Sequence, residues 1–358
     1  MSADRLPCAI LGASGYIGQH FARLLADHPF FGPPLLIGSE RVVGRTLDET
    51  WRLSEPPPAE LEGSRYVERS PGQLVRDGVE VVFGALPSGV AGRIESECAR
   101  RGISVFSNSA DHRMDPKAAL LVPEVNPHHL GRARRPGGTG LIVTNPNCTA
   151  TGLVLALAPW MPLLEPEWIS VTTYQALSGA GYPGVPSLAI QDNVVPFIEG
   201  EEEKVALESA RILDLGSAGR RGPRSTRFLV QCARVAVREG HLEAVTLLAR
   251  RSPTLRALDF AVRSFDPLGP MDLPTAPHPP VLLREEKDRP QPLRDLWAGS
   301  PTRARGMAAT IGRVRWEPPF LRFFLLSHNA VRGGAGGSVL NAELAFRRGL
   351  LPQTGAVR

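Results

Sequence analysis

The strongest constraint on this chain lies in residues 7–25, "PCAILGASGYIGQHFARLL": a short apolar run, a turn with Gly12, Gly15 and Gly18, then Ile17, Phe21, Leu24 and Leu25 at helical spacing. An uninterrupted apolar strand must be covered on both faces, so this unit calls for parallel neighbours and flanking helices. The sequence supplies them. "PLLIGS" 34–39 and "EVVFGALP" 80–87 read as strands, "VAGRIESECARRG" 90–102 as a helix, and "ISVFSNS" 103–109 and "GLIVTN" 140–145 as two more strands. Strands alternating with helices predict an α/β fold beginning with a Rossmann-like, doubly wound parallel sheet.

After residue 148 the pattern turns β-rich, in "WISVTTYQAL" 168–177, "RFLVQCARVAV" 227–237, "EAVTLLAR" 243–250 and "GMAATIGRVRW" 306–316. This predicts a second α+β domain on a mixed or antiparallel sheet. The stretch "GGAGGSVLNAELAFRRGL" 333–350 is a glycine turn entering a helix. A chain of 358 residues accommodates both domains. The expected division is 1–147 completed by 329–358, with 148–328 as the second domain.

Glycines in the first turn let a pyrophosphate approach the backbone and meet the amides of a helix N-terminus. The end of the second strand reads "GSERVVGR", where Ser39, Arg41 and Arg45 suit a 2′-phosphate and Glu40 suits a free ribose. NADP is therefore favoured, with NAD left open.

The four cysteines Cys8, Cys98, Cys148 and Cys232 have no metal-type spacing, so no metal site is expected and a reducing compartment is. The N-terminus shows no basic region followed by an apolar core, so no leader is expected, and the apolar run 152–164 is broken by Pro159 and Pro162. A soluble, cytoplasmic protein without membrane contact is expected. The net charge of +5 comes almost wholly from arginine, since lysine stands only at 117, 204 and 287. Basic runs at 131–138 and 217–226 lack interleaved aromatics, which argues against nucleic acid. A small anionic substrate fits the charge as well.

Cys148 stands apart from the other thiols. Thr144, Asn145 and Asn147 are capping residues, and "TATGLVLALAPW" can run as a helix to Pro159. A thiol at a helix N-terminus faces unpaired amides and the positive end of the dipole, which favours the thiolate. Cys8 in a strand and Cys98 on a helix read as inert and buried. Such a nucleophile needs a proton shuttle. His20, His28, His128, His129 and His278 read as solvated, whereas His241 projects from the end of a strand reaching Gly240. Arg234, seven residues earlier on that strand, can clamp a carboxylate.

At this point the chain resembles the aspartate-semialdehyde dehydrogenase family. The resemblance lies in "GASGYIGQ" 12–19, "SNSADHR" 107–113, "VPEVNPHHL" 122–130, "TNPNCTATG" 144–152, "YQALSGAGYPGVPS" 174–187, "DNVVPFIEGEEEK" 192–204, "RVAVREGHLE" 234–243, "DRPQP" 288–292 and "HNAVRGGAGGSVLNAEL" 328–344. It implies Cys148 as nucleophile, His241 as general acid and base, and Gln175 as a positioning group. By the same resemblance Arg234 would hold the substrate carboxylate and Glu201, or Glu202, its amino group. Phosphate would meet Arg113, Lys204 and Asn108. The cofactor would lie on Gly12, Ser14, Gly15, Tyr16, Ile17 and Gly18, on Ser39 and Arg41, and on Ser178, Gly179 and Asn329. The implied reaction is reductive dephosphorylation of β-aspartyl phosphate by a homodimer or homotetramer. Malonyl-coenzyme A, N-acetyl-glutamyl phosphate, or a catalytically silent fold are the alternatives. The family's serine and lysine after strand two are replaced here by Val42 and Arg45.

Overall fold

The computed structural model describes residues 5–133, 140–215 and 225–352. Most of the two arginine-rich stretches singled out above, 131–138 and 217–226, lies outside the described residues. The chain divides into two compact units. One comprises Met1–Pro123, Pro127–Pro146 and Gly334–Arg358, the other Glu124–Asn126 and Asn147–Gly333.

The first unit is built on β1 (Cys8–Leu11), β2 (Leu35–Ile37), β3 (Val81–Gly84), β4 (Ser104–Ser107), β5 (Ala119–Leu120) and β6 (Ile142–Thr144), all parallel in the order β2-β1-β3-β4-β6-β5. The order reverses on either side of β1, and ligands of such sheets bind at that switch point, beyond the carboxyl ends of the strands. The glycine turn sits there. The observed strands are shorter than the expected runs at both ends. Helix Tyr16–Leu25 follows the turn and buries Phe21 against Phe83, with Phe31 and Phe106 extending the aromatic core. Each such fully buried aromatic contributes about 1.5–3 kcal/mol. Helix Gly336–Arg347 belongs to this unit and is buried on nearly every side, with Glu343 Oε1 2.8 Å from His28 Nε2.

The second unit holds β7 (Pro166–Gln175), β8 (Arg227–Arg234), β9 (His241–Ala249), β10 (Val281–Arg284), β11 (Ala309–Glu317) and β12 (Phe320–Ser327) in the order β10-β11-β12-β9-β7-β8. The sheet is mixed: β10–β11 and β7–β8 run parallel and the three central pairings antiparallel. Alternation along β9 buries His241, Glu243, Val245 and Leu247 on one face and half-buries the residues between. Helices Cys148–Leu157, Glu201–Ile212 and Leu255–Arg263 pack on this unit's strands. The open sheet face leaves Tyr174, Leu229 and Phe320 exposed. Helix Cys148–Leu157 is apolar all round and buried from Thr149 on, with Gly152 admitting β12 because a Cβ there would lie 2.7 Å from Ser327 Cβ. No helix among the described residues is long and apolar enough to cross a membrane.

Three sequence expectations are corrected here. The first concerns β8, which ends at Arg234, not at Gly240. A turn follows, closed by Gly240 at φ 93°, and His241 opens β9. Arg234 and His241 therefore sit on different strands, separated by β7. In the second, His20, His28 and His129 prove buried, His28 against Glu343, which lies 315 residues away. The last concerns the C-terminal return to the first unit, which begins at Gly334, since Asn329 and Arg332 are engaged within the second unit.

Candidate active site

Cys148 opens its helix. The Asn147 side chain caps it, accepting the Thr149 and Ala150 amides at 2.9 and 3.1 Å. Asn147 is held in turn by two carboxylates seven residues apart on one helix face: its N–H donates to Glu208 Oε2 at 2.6 Å, and its Nδ2 to both oxygens of Glu201 at 3.0 Å. From behind, Gly333 lies so close that a Cβ there would stand 2.7 Å from Cys148 Cα. The thiol is half-buried, whereas Cys8, Cys98 and Cys232 are buried and pushed up by desolvation to about 12. Only Cys148 has both access and a helix terminus to favour its anion.

His241 Nε2 stands 3.2 Å from Cys148 Sγ, and its Nδ1 accepts the Ala176 N–H at 3.1 Å. A nitrogen that accepts carries no proton, so the neutral ring holds its proton on Nε2, facing the sulfur. Burial, and then the Arg234 charge, push His241 down to about 3, so the ring is neutral. Arg234, the last residue of β8, donates from Nη1 to the Ala176 carbonyl at 2.7 Å. Burial draws its guanidinium below the usual value, opposed by the charges of Cys148 and Glu201. Gly179 closes this group: a Cβ there would lie 2.6 Å from Arg234 Nη1 and 3.1 Å from His241 Nε2.

Gln175, at the end of β7, donates to Glu201 Oε1 at 2.9 Å. Of the two candidate acids, Glu201 turns to the cysteine cap, while Glu202 accepts the Cys232 N–H at 3.0 Å. Lys204 is exposed on the same helix and Asn329 links Gly240 to Ser178. The second unit thus gathers Cys148, His241, Gln175, Arg234 and Glu201. Two participants escaped the sequence reading. Gly333 was visible only as one of a glycine run. Glu243 lies two residues beyond His241 on the same buried face, and neither carboxyl oxygen has a hydrogen-bond partner among the described residues. Burial, then the Glu201 charge, raise it well above the usual carboxylate range, which favours its neutral form. The two-residue period of "HLE" was the available signal.

The first unit carries the remaining candidates. A Cβ on Gly12, at φ 80°, would lie 2.8 Å from the Ala85 carbonyl, and one on Gly18 only 2.3 Å from the Gly12 carbonyl. Close backbone packing thus requires glycine at 12 and 18 in the turn that runs through Ser14 and Gly15 into the helix start at Tyr16 and Ile17. Ser39 and Arg41 are exposed beyond β2, whereas Arg45 is engaged by Glu49 at 3.1 and 3.4 Å. Arg113 donates to the Asn108 and Asn145 carbonyls at 2.9 and 3.0 Å, and the buried Asn108 carboxamide has neither donor nor acceptor partner among the described residues. The glycine turn at a helix N-terminus, with Ser39 and Arg41 exposed beyond β2, fits a phosphorylated dinucleotide, while the Asn108 carboxamide and Arg113 suit a separate anion.

Comparison with known proteins finds relatives along nearly the whole chain. Residues 7–133 match the family model "Semialdehyde dehydrogenase, NAD binding domain" and residues 157–332 match "Semialdehyde dehydrogenase, dimerisation domain". The chain is 42% identical to an aspartate-semialdehyde dehydrogenase of Archaeoglobus fulgidus, over 97% of this chain and 100% of that protein. It is 37% identical to a malonyl CoA reductase (NADP) of Metallosphaera sedula, over 97% of this chain and 98% of that protein. Among solved structures it is similar to an aspartate semialdehyde dehydrogenase with NADP from Candida albicans, at 30% identity and a TM-score of 0.84, over 97% of this chain and 100% of that one.

Proposed function

The chain belongs to the aspartate-semialdehyde dehydrogenase family, and on that footing we propose that it catalyses the reversible, NADPH-dependent reductive dephosphorylation of β-aspartyl phosphate to aspartate semialdehyde. The observation that carries this reading is the convergence of Cys148 Sγ, His241 Nε2 and the Arg234 guanidinium, the latter two both within 3.1 Å of where a Gly179 side chain would start.

Arg234 pairs with the substrate α-carboxylate and Glu201 with its amino group, which sets the acyl carbon over Cys148. The thiolate attacks that carbon, its C–S bond replaces the C–O bond to phosphate, and inorganic phosphate departs with the electron pair. Arg113, Asn108 and Lys204 are the groups proposed to receive it. NADPH, when bound on the Gly12–Gly18 turn with Ser39 and Arg41 toward its 2′-phosphate, supplies the hydride that reduces the thioester to a thiohemiacetal. His241 shares its Nε2 proton with the oxygen of the tetrahedral adduct and recovers it as the C–S bond breaks, which returns Cys148 as thiolate and frees the aldehyde. A substrate carboxylate on Arg234 would offset the lesser of the two causes that hold His241 down; burial, the larger, keeps the imidazole neutral and its Nε2 proton available.

The likeness to the Metallosphaera reductase supports a second reading, reduction of malonyl-coenzyme A. Glu201 favours the amino-acid substrate, because malonate has no cation to meet it. Assay of aspartate semialdehyde with phosphate and NADP, beside malonyl-coenzyme A and N-acetyl-glutamyl phosphate with NADPH, decides. Turnover of the first alone is expected; turnover of malonyl-coenzyme A alone overturns the proposal. The second unit carries a dimerisation-domain match, and the apolar open face of its sheet supports a homodimer joined there.

A further inference from the structure

His241 is approached from two sides by backbone, and one carboxamide ties those sides together. Gly240, immediately before it, donates its N–H to Asn329 Oδ1 at 2.8 Å. On the other side the turn after β7 supplies the Ala176 N–H to His241 Nδ1 at 3.1 Å, and its Ser178 hydroxyl meets Asn329 Nδ2 at 2.9 Å. The two turns also pair through Leu177 N–H to the Val237 carbonyl at 2.7 Å and Ser178 N–H to the Arg238 carbonyl at 3.1 Å. Asn329, 4% exposed, fixes the end nearest the imidazole. A carboxamide offers an acceptor and a donor on adjacent atoms, as this position requires.

We infer that Asn329 is a positioning residue for His241: by clipping Gly240 to Ser178 it keeps the Ala176 N–H on Nδ1 and so holds the imidazole in the Nε2–H form facing Cys148. This differs from the cofactor contact implied by resemblance, and it rests on the proton-sharing role proposed for His241. A ring free to tilt away from Ala176 would populate the Nδ1–H form, which presents a bare nitrogen where the adduct oxygen needs a donor.

The test combines kinetics with histidine ¹⁵N NMR of the full chain. Asn329→Ala is expected to lower kcat by about 10–100-fold, with the KM for NADPH changed less than about twofold. Asn329→Asp is expected to restore part of the loss, since a carboxylate accepts from both Gly240 N–H and the Ser178 hydroxyl. Ser178→Ala should add nothing on the Asn329→Ala background. The wild-type spectrum should show a single Nε2–H form for His241, and Asn329→Ala a mixture. An unchanged kcat, or a loss confined to the KM for NADPH, overturns the inference. Should Asn329→Ala not fold, Ser178→Ala alone must lower kcat several-fold without moving that KM, and an unaltered kcat counts against the clip. His241→Ala separates the two levels: full activity in it refutes the role of the histidine, whereas its inactivity beside a fully active Asn329→Ala refutes the clip alone.

Discussion

Gly179→Ala turns the geometry around the histidine and arginine into a number. Gly179 is exposed and outside the left-handed region, so alanine is allowed by its backbone and removes no buried contact. The new Cβ would stand 2.6 Å from Arg234 Nη1 and 3.0 and 3.1 Å from His241 Cε1 and Nε2, where ordinary contact begins at 3.4 Å. The guanidinium must therefore retreat by about 0.8 Å and the ring by about 0.3–0.4 Å, or the loop must lift away from both. Misplacement near 1 Å costs about 10²-fold in rate. We expect kcat/KM for aspartate semialdehyde to fall about 30–100-fold, shared between a higher KM through Arg234 and a lower kcat through His241. The melting temperature should stay within about 2 °C of the parent, as for a surface change. Steady-state NADPH formation with phosphate in excess, paired with thermal unfolding, reads both quantities. A kcat/KM within about threefold of the parent would mean that these two side chains do not act where the structure holds them.

Glu243→Gln should stabilise the protein increasingly with pH. A carboxyl whose folded value is raised keeps its proton while the unfolded chain loses it above about pH 4.5, which costs the parent up to about 1.4 kcal/mol per pH unit until the folded value is reached. The gap in melting temperature between variant and parent should thus widen from pH 5 to pH 8, and a constant gap contradicts a buried neutral acid. Gly18→Ala places a Cβ 2.3 Å from the Gly12 carbonyl, distorts the turn and should weaken NADPH binding measured by fluorescence titration, at a stability cost of about 1–3 kcal/mol; unaltered affinity contradicts a cofactor seat on this turn. Ala244→Arg, on the open face of β9, should convert a dimer to monomers in sedimentation velocity; a parent that already sediments as a monomer contradicts the proposed interface.

The first unit was readable from sequence because strands buried on both faces appear as unbroken apolar runs, and because Gly12 and Gly18 are required by close backbone approach. The second unit was harder. β10 and β12 were not singled out, though "FLRFFLLS" is mostly apolar and lies centrally in its sheet. His241 was credited to the wrong strand, because nothing local marks Gly240 as the left-handed end of a turn rather than the end of a strand. Burial of His28 depends on Glu343, 315 residues away, which no window of sequence contains. At the site, residue types identified Cys148, while its cap could be traced to Glu201 and Glu208 only once their helix was placed against Asn147. Glu243 escaped because a buried acid without partners looks, in one dimension, like any surface glutamate.

The central claim is a covalent acyl bond to Cys148, and mass spectrometry tests it most directly. Incubating the protein with aspartate semialdehyde and NADP without phosphate, quenching in acid and mapping the peptides should place an aspartyl adduct on Cys148. Adding phosphate before the quench should remove it. Turnover with no acylated peptide at Cys148, or an adduct on another side chain, contradicts the account.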